Sequence, residues 1–193
     1  MPVWSWFFIA AGVLIALTLL LAAVLAATGR RRTRRLKQHF GPEYEHAVED
    51  AGDRRAAENE LVARERKRKR LDIVALTPEA HRRYSEQWVE VQRSFVDDPS
   101  SAVGYADRLV TEVMRERGYP ISDFDQRASD ISVDHPGTVE HYRAAHTLHL
   151  AQEKADIGTE AQRQAFVHYR ALFEELLGAD RAIENDTPKE ATA

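Results

Sequence analysis

Hydrophobic positions along the chain fall into three regimes, and each predicts a different element. Residues 3–28 read VWSWFFIAAGVLIALTLLLAAVLAAT, apolar at almost every position and without a charged side chain. About 20 apolar residues in a helix cross a hydrocarbon core of roughly 30 Å, so residues 1–29 are expected to form a transmembrane anchor. Between 43 and 71 the apolar residues thin out to Tyr44, Val48, Ala51, Leu61 and Val62 among strong helix formers. That pattern predicts a long polar stalk helix over 43–75, with Gly52 as its weak point. Beyond it the 3.6-residue period of packed helices returns.

The distal helices announce their own starts and stops. Thr77-Pro78-Glu79 opens a helix over about 78–96, with Tyr84, Trp88, Val91 and Phe95 on one face. Asp98-Pro99 opens the next, whose stripe is Ala102, Val103, Ala106, Leu109, Val110, Val113 and Met114. Gly118-Tyr119-Pro120 ends it, with the glycine just past the last turn. Ser122 and Asp125 have capping-box spacing for a short helix. Asp134-His135-Pro136-Gly137 reads as a turn, followed by a helix over about 136–155 that carries Val139, Tyr142, His146 and His149. Thr159 and Gln162 cap a last helix over about 160–177, which Gly178 is expected to stop. No segment alternates apolar and polar residues as a strand does. The expected fold is all-α: a transmembrane helix, the stalk, a small four- to five-helix bundle over 76–178, and a disordered polar tail over 179–193.

Charge orients this plan. Arg30, Arg31, Arg32, Arg34, Arg35 and Lys37 give residues 30–37 a net charge of +6, inside a basic juxtamembrane linker (30–42) that breaks at His39-Phe40-Gly41-Pro42. Lys and Arg beside a span stay on the cytoplasmic side. The expected localisation is therefore the inner (cytoplasmic) membrane, single-pass, N-terminus out and C-terminus in, with Trp4 and Trp6 in the outer headgroup layer. A cleaved signal peptide is the alternative, since Ala23, Ala26 and Ala27 offer small residues, but no basic region precedes the run. The bases also suit the anionic headgroups of a lipid bilayer. Gly12-xxx-Ala16 and Ala23-xxx-Ala27 have the spacing at which two helices approach and form a homodimer, although lipid-facing filler explains them as well.

The stalk carries eight acids and eight bases, and everything from Leu71 onward has 13 bases and 23 acids, a net of −10. A heptad through 44, 48, 51, 55, 58 and 62 meets Arg55 and Glu58 at its seam, so a spacer is preferred to a coiled coil. The basic run at 64–70 reads as a solvated helix end. Its acidic neighbourhood and the lack of interleaved aromatic residues speak against nucleic acid as a partner.

Candidate chemistry is sparse. There is no cysteine, hence no disulfide and no thiolate nucleophile or ligand. His146, His149 and Glu153 share a helical face at a spacing compatible with a metal, but satisfied or surface histidines are the better expectation, and no metal or cofactor is assigned. Glu43-x-x-His46 is the one match to the motif of di-iron bundles, and it falls in the stalk. Asp134-His135 has the make-up of an oriented general base. Without a nucleophile elbow or a phosphate loop, no catalytic residue is assigned. The turn holding Tyr119 and the turn holding Asp134 and His135 form a ligand or partner site if they meet.

Phe40-Gly41-Pro42-Glu43-Tyr44, Phe95-Val96-Asp97-Asp98-Pro99, Arg117-Gly118-Tyr119-Pro120, Ser132-Val133-Asp134-His135-Pro136 and Tyr169-Arg170-Ala171-Leu172-Phe173 together resemble a bacterial family of single-pass, membrane-anchored helical proteins. The resemblance spans about residues 38–177. It implies the domain plan and transfers no mechanism. The expected function is a membrane-tethered cytoplasmic module that binds a protein partner as an adaptor or scaffold. A small-molecule or metal sensor comes second and a hydrolytic enzyme third.

Overall fold

Burial of a few residues flanking the apolar run decides how the chain is built. The structure, a computed structural model, describes residues 4–186, leaving out the side chains of 4–11, 13, 15, 22–26 and 179–186. Among the described residues there are eight helices and no strand: α1 (Trp4–Phe40), α2 (Pro42–Ala51), α3 (Arg54–Arg68), α4 (Pro78–Asp97), α5 (Pro99–Glu116), α6 (Phe124–Ile131), α7 (Val139–Lys154) and α8 (Gly158–Asp186). The all-α expectation holds.

The basic segment is not a separate linker. It continues α1, a helix of 37 residues that spans about 55 Å at 1.5 Å per residue. Gly41, at φ 51°, and Pro42 then end α1 and start α2. Among the described residues no helix is long and apolar enough to cross a membrane. Much of the expected span, Trp4 and Trp6 included, lies outside the described side chains. The leucines that are described, Leu14, Leu17, Leu19, Leu20 and Leu21, are all more than half exposed.

The single stalk helix expected over 43–75 is instead a helical hairpin. Gly52, at φ 63°, takes the left-handed conformation and returns its N–H to Val48 O (3.0 Å). Asp53 then caps α3 by accepting from the Ala56 N–H (2.8 Å). Nor is the segment polar all round: Leu36, Phe40, Tyr44, Ala47, Ala57, Leu61 and Val133 form a small core of their own. A hairpin can bury this sparse apolar set against the end of α1, whereas an extended helix would leave it in water.

The distal helices match their sequence signals closely. Thr77 caps α4 through the Ala80 N–H (3.2 Å) and Asp98 caps α5 through the Ser101 N–H (3.0 Å). All seven residues of the α5 stripe are buried. Trp88 stacks on Phe173 (4.5 Å between ring centroids) and on Phe166 (5.2 Å). Three local readings need correction. Thr159 does not cap the last helix, because α8 already begins at Gly158, whose N–H donates to Asp156 Oδ1 (2.8 Å). The cap of α6 is Asp123, accepting from the Gln126 N–H (2.9 Å), not Ser122. Gly178 does not stop the last helix, because α8 runs on to Asp186; of the expected tail only 187–193 lie outside the description.

Gly118 is fixed by a close approach. At φ 93° a Cβ would sit 2.4 Å from the carbonyl oxygen of Asp72. The α3–α4 connection thus lies directly on the end of α5, joined there by Val74 N–H to Arg117 O (2.9 Å).

Candidate functional site

Pro42 sets the first turn of α2, and that turn places Glu43 where α2, α3 and α7 converge. Its side chain is fully buried. Arg64 Nη1 donates to Oε1 (2.6 Å), Arg143 Nη2 donates to the same oxygen (2.8 Å), and Arg143 Nη1 reaches Oε2. Burial works to raise the pKa of Glu43, but the two guanidiniums outweigh it and hold the carboxyl below its ordinary value. Each arginine also keeps a more exposed acid: Arg64 has Glu60, with Nε at 3.0 Å, and Arg143 has Glu140 (2.6 Å). The buried carboxylate is therefore neutralised and hydrogen-bonded from both sides, the condition under which a buried charge is tolerated.

The same face of α3 extends the contact. Lys67 Nζ pairs with the buried Asp130 (2.7 Å) and Arg68 pairs with Asp134. Three bases of the 64–70 run are thus ion-pair partners of other helices and turns, not a solvated helix end. Glu58 ties α3 to α1 by accepting from Thr33 Oγ1 (2.7 Å), and to α2 by accepting from Tyr44 OH (3.0 Å). Burial, and then the Glu58 carboxylate, push the Tyr44 phenol up to about 12.

The two turns foreseen as a pocket do meet: Tyr119 OH donates to Asp134 Oδ2 (2.6 Å). Burial first, and Asp134 second, raise the Tyr119 pKa. Arg68 also engages Asp134, and buried His135 turns its Nδ1 to Glu175 on α8 (3.2 Å). The three residues lie at one junction, with their polar groups largely directed at one another and at α3 and α8.

His146, His149 and Glu153 do not converge. The His146 ring stacks on Phe124 (3.7 Å between centroids), the two imidazoles are 6.4 Å apart, and His149 Nε2 is 3.8 Å from Glu153. Among the described residues the one set of three ligand atoms within 4.8 Å of one another belongs to Glu43, His46 and Glu140. Arg143 already lies on both of its carboxylates. The geometry favours a structural clamp there over a metal centre.

A second polar feature lies at the other end of the hairpin. A cleft of about 410 Å³ opens between α1 and the start of α3, lined by Gly29, Arg30, Thr33, Arg34, Arg54, Arg55 and Glu58. Reading the sequence missed both this cleft and the Glu43 clamp. Their residues are local to no single helix; Glu43 and Arg143 are 100 positions apart. No family model, curated protein or solved structure matches the chain.

Proposed function

We propose that the protein is a membrane-tethered helical module that holds its acidic bundle at the cytoplasmic face, where it binds protein partners as an adaptor or scaffold. Kinship with the bacterial single-pass family is part of the same proposal. One observation carries it. Five leucines of the apolar run stand more than half exposed on a helix whose other end, at Leu36 and Phe40, is fully buried in the hairpin core. Solvent-exposed leucines in such a row mark a surface that lipid or protein covers, and the uncharged length of the run suits a bilayer. The packed end of α1 then makes the link between anchor and bundle stiff. Confinement at the membrane raises the effective concentration of the bundle toward other membrane-bound proteins.

The test has two parts. After alkaline carbonate washing the full chain should stay in the membrane pellet. Cross-linking in native membranes should recover a partner in stoichiometric amount. A chain found in the soluble fraction overturns the tether, and a chain that pellets without any cross-linked partner overturns the adaptor.

A second reading, a small-molecule sensor, has one observation in its favour. Trp88 Nε1 is buried without a hydrogen-bond partner, beside a cleft of about 410 Å³ that His81, Ser85, Phe173 and Leu177 also line. Native mass spectrometry of protein taken gently from membranes checks it; a co-purifying small ligand lost in Trp88→Phe would favour the sensor.

A further inference from the structure

We propose that the cleft between α1 and the start of α3 is a binding site for the phosphate of an anionic phospholipid headgroup. The inference rests on the membrane-tether reading and gives it a lipid specificity. Its basis is an uneven use of positive charge. Arg32, Arg35, Lys37, Arg64, Lys67 and Arg68 each have a carboxylate within 4.0 Å. Arg30, Arg34, Arg54 and Arg55, which line the cleft, have none among the described residues. The one acid in the lining, Glu58, is occupied by Thr33 and Tyr44. Four guanidiniums share one concavity with a single carboxylate, a surplus of positive charge that suits an anion, and planar guanidinium forks match phosphate oxygens.

Position selects the anion. The side-chain pairs Arg32–Asn59 and Arg35–Glu65 show that α3 descends alongside α1 in the same direction. The start of α3 is therefore level with the first turns after the apolar run. Residues 30 and 34 lie about 3 and 9 Å beyond residue 28 along the helix axis. A headgroup layer is about 5–7 Å thick on each side of the hydrocarbon. The hairpin thus folds back to put Arg54 and Arg55 in the layer that holds lipid phosphates, facing two arginines of the anchor.

The test uses the full chain in neutral detergent, titrated with phosphatidylglycerol or phosphatidylcholine and read by native mass spectrometry. Phosphatidylglycerol should bind at least about tenfold more tightly. Each base near an anionic surface contributes about fivefold, so Arg54→Gln/Arg55→Gln should weaken that binding by about 25-fold. Arg66→Gln/Lys69→Gln removes the same charge roughly 17–23 Å farther along, beyond the screening length, and should leave binding unchanged. Neither pair touches the six bases of α1, so both variants should still pellet with carbonate-washed membranes. Equal binding of the two lipids, equal loss in the two double variants, or full displacement by inorganic phosphate at the lipid's own concentration would each overturn the headgroup site. A wild-type chain that fails to pellet fails the tether instead.

Discussion

Replacing Glu43 with Gln keeps the shape of the side chain but removes the carboxylate that Arg64 and Arg143 share. Glu43 is fully buried and the two arginine side chains are 11% and 19% exposed, so solvent screens the loss little. Removing one member of a buried ion pair costs roughly 3–5 kcal/mol, because the remaining charge is left without compensation. Glu60 and Glu140 stay beside the two guanidiniums, which places the expected cost near the low end, about 3 kcal/mol. For a chain of this size 1 kcal/mol moves Tm by about 2–4 °C, so Glu43→Gln should lower Tm by about 6–12 °C in thermal unfolding followed by circular dichroism. Amide exchange should quicken first in α2 and α3, since the lost contact fastens the hairpin to α7. The effect also has a pH signature. Glu43 titrates below its ordinary value of 4.5 in the folded protein, so its contribution is present above that pH and is lost as the pH falls through the folded value. Wild type and variant should converge in acid. A Tm within about 1 °C of wild type at pH 7, with exchange in α2 and α3 unchanged, would refute the clamp.

Other expectations follow from the same packing. Gly118→Ala should cost roughly 1–3 kcal/mol, because φ is 93° and the new methyl would strike the Asp72 carbonyl; urea unfolding measures it, and Gly104→Ala, whose Cβ would meet only side-chain atoms at 3.7 Å or more, should be far milder. Trp88→Ala removes the ring that stacks on Phe166 and Phe173 and should cost about 3–5 kcal/mol by the same method. Burial, and for His168 the neighbouring His141, lower the pKa of His146 and His168 below 6.5. The unfolded chain therefore takes up these protons first, so their part of the stability is full above pH 6.5 and declines as the pH drops through that value. His168→Gln should flatten the fall of the urea midpoint as the pH drops below 6.5, and an unchanged slope would contradict this.

Local signals were legible because short-range physics decides them. Thr77 and Asp98 cap helices through N–H groups three residues on, and the α5 stripe needs only the helical period to be read. The hairpin is hard to read from the sequence because the charges of 43–75 mask its buried face. Ala57, Leu61, Arg64 and Arg68 lie on one helical stripe, and the two arginines continue the buried face of the two apolar residues through ion pairs. Counting them as part of that face would have revealed it. No such signal exists for Arg143, which reaches Glu43 only once the bundle has folded. Gly178 does not end α8 because a glycine stops a helix when it turns left-handed, whereas within a helix it costs only about 1 kcal/mol relative to Ala. That the turns of Tyr119 and Asp134 meet follows from their place, since two proline-bounded turns flank the short α6.

The central claim is that an apolar helix in the bilayer continues rigidly into a bundle on the cytoplasmic side. With no native cysteine, single-cysteine variants report sidedness without background. Pro2→Cys and Val96→Cys, the latter at a residue 83% exposed, can be treated in intact cells with a membrane-impermeant maleimide. The account predicts that Cys labelling occurs at position 2 in intact cells and at position 96 only after lysis. Labelling at position 96 before lysis would contradict it.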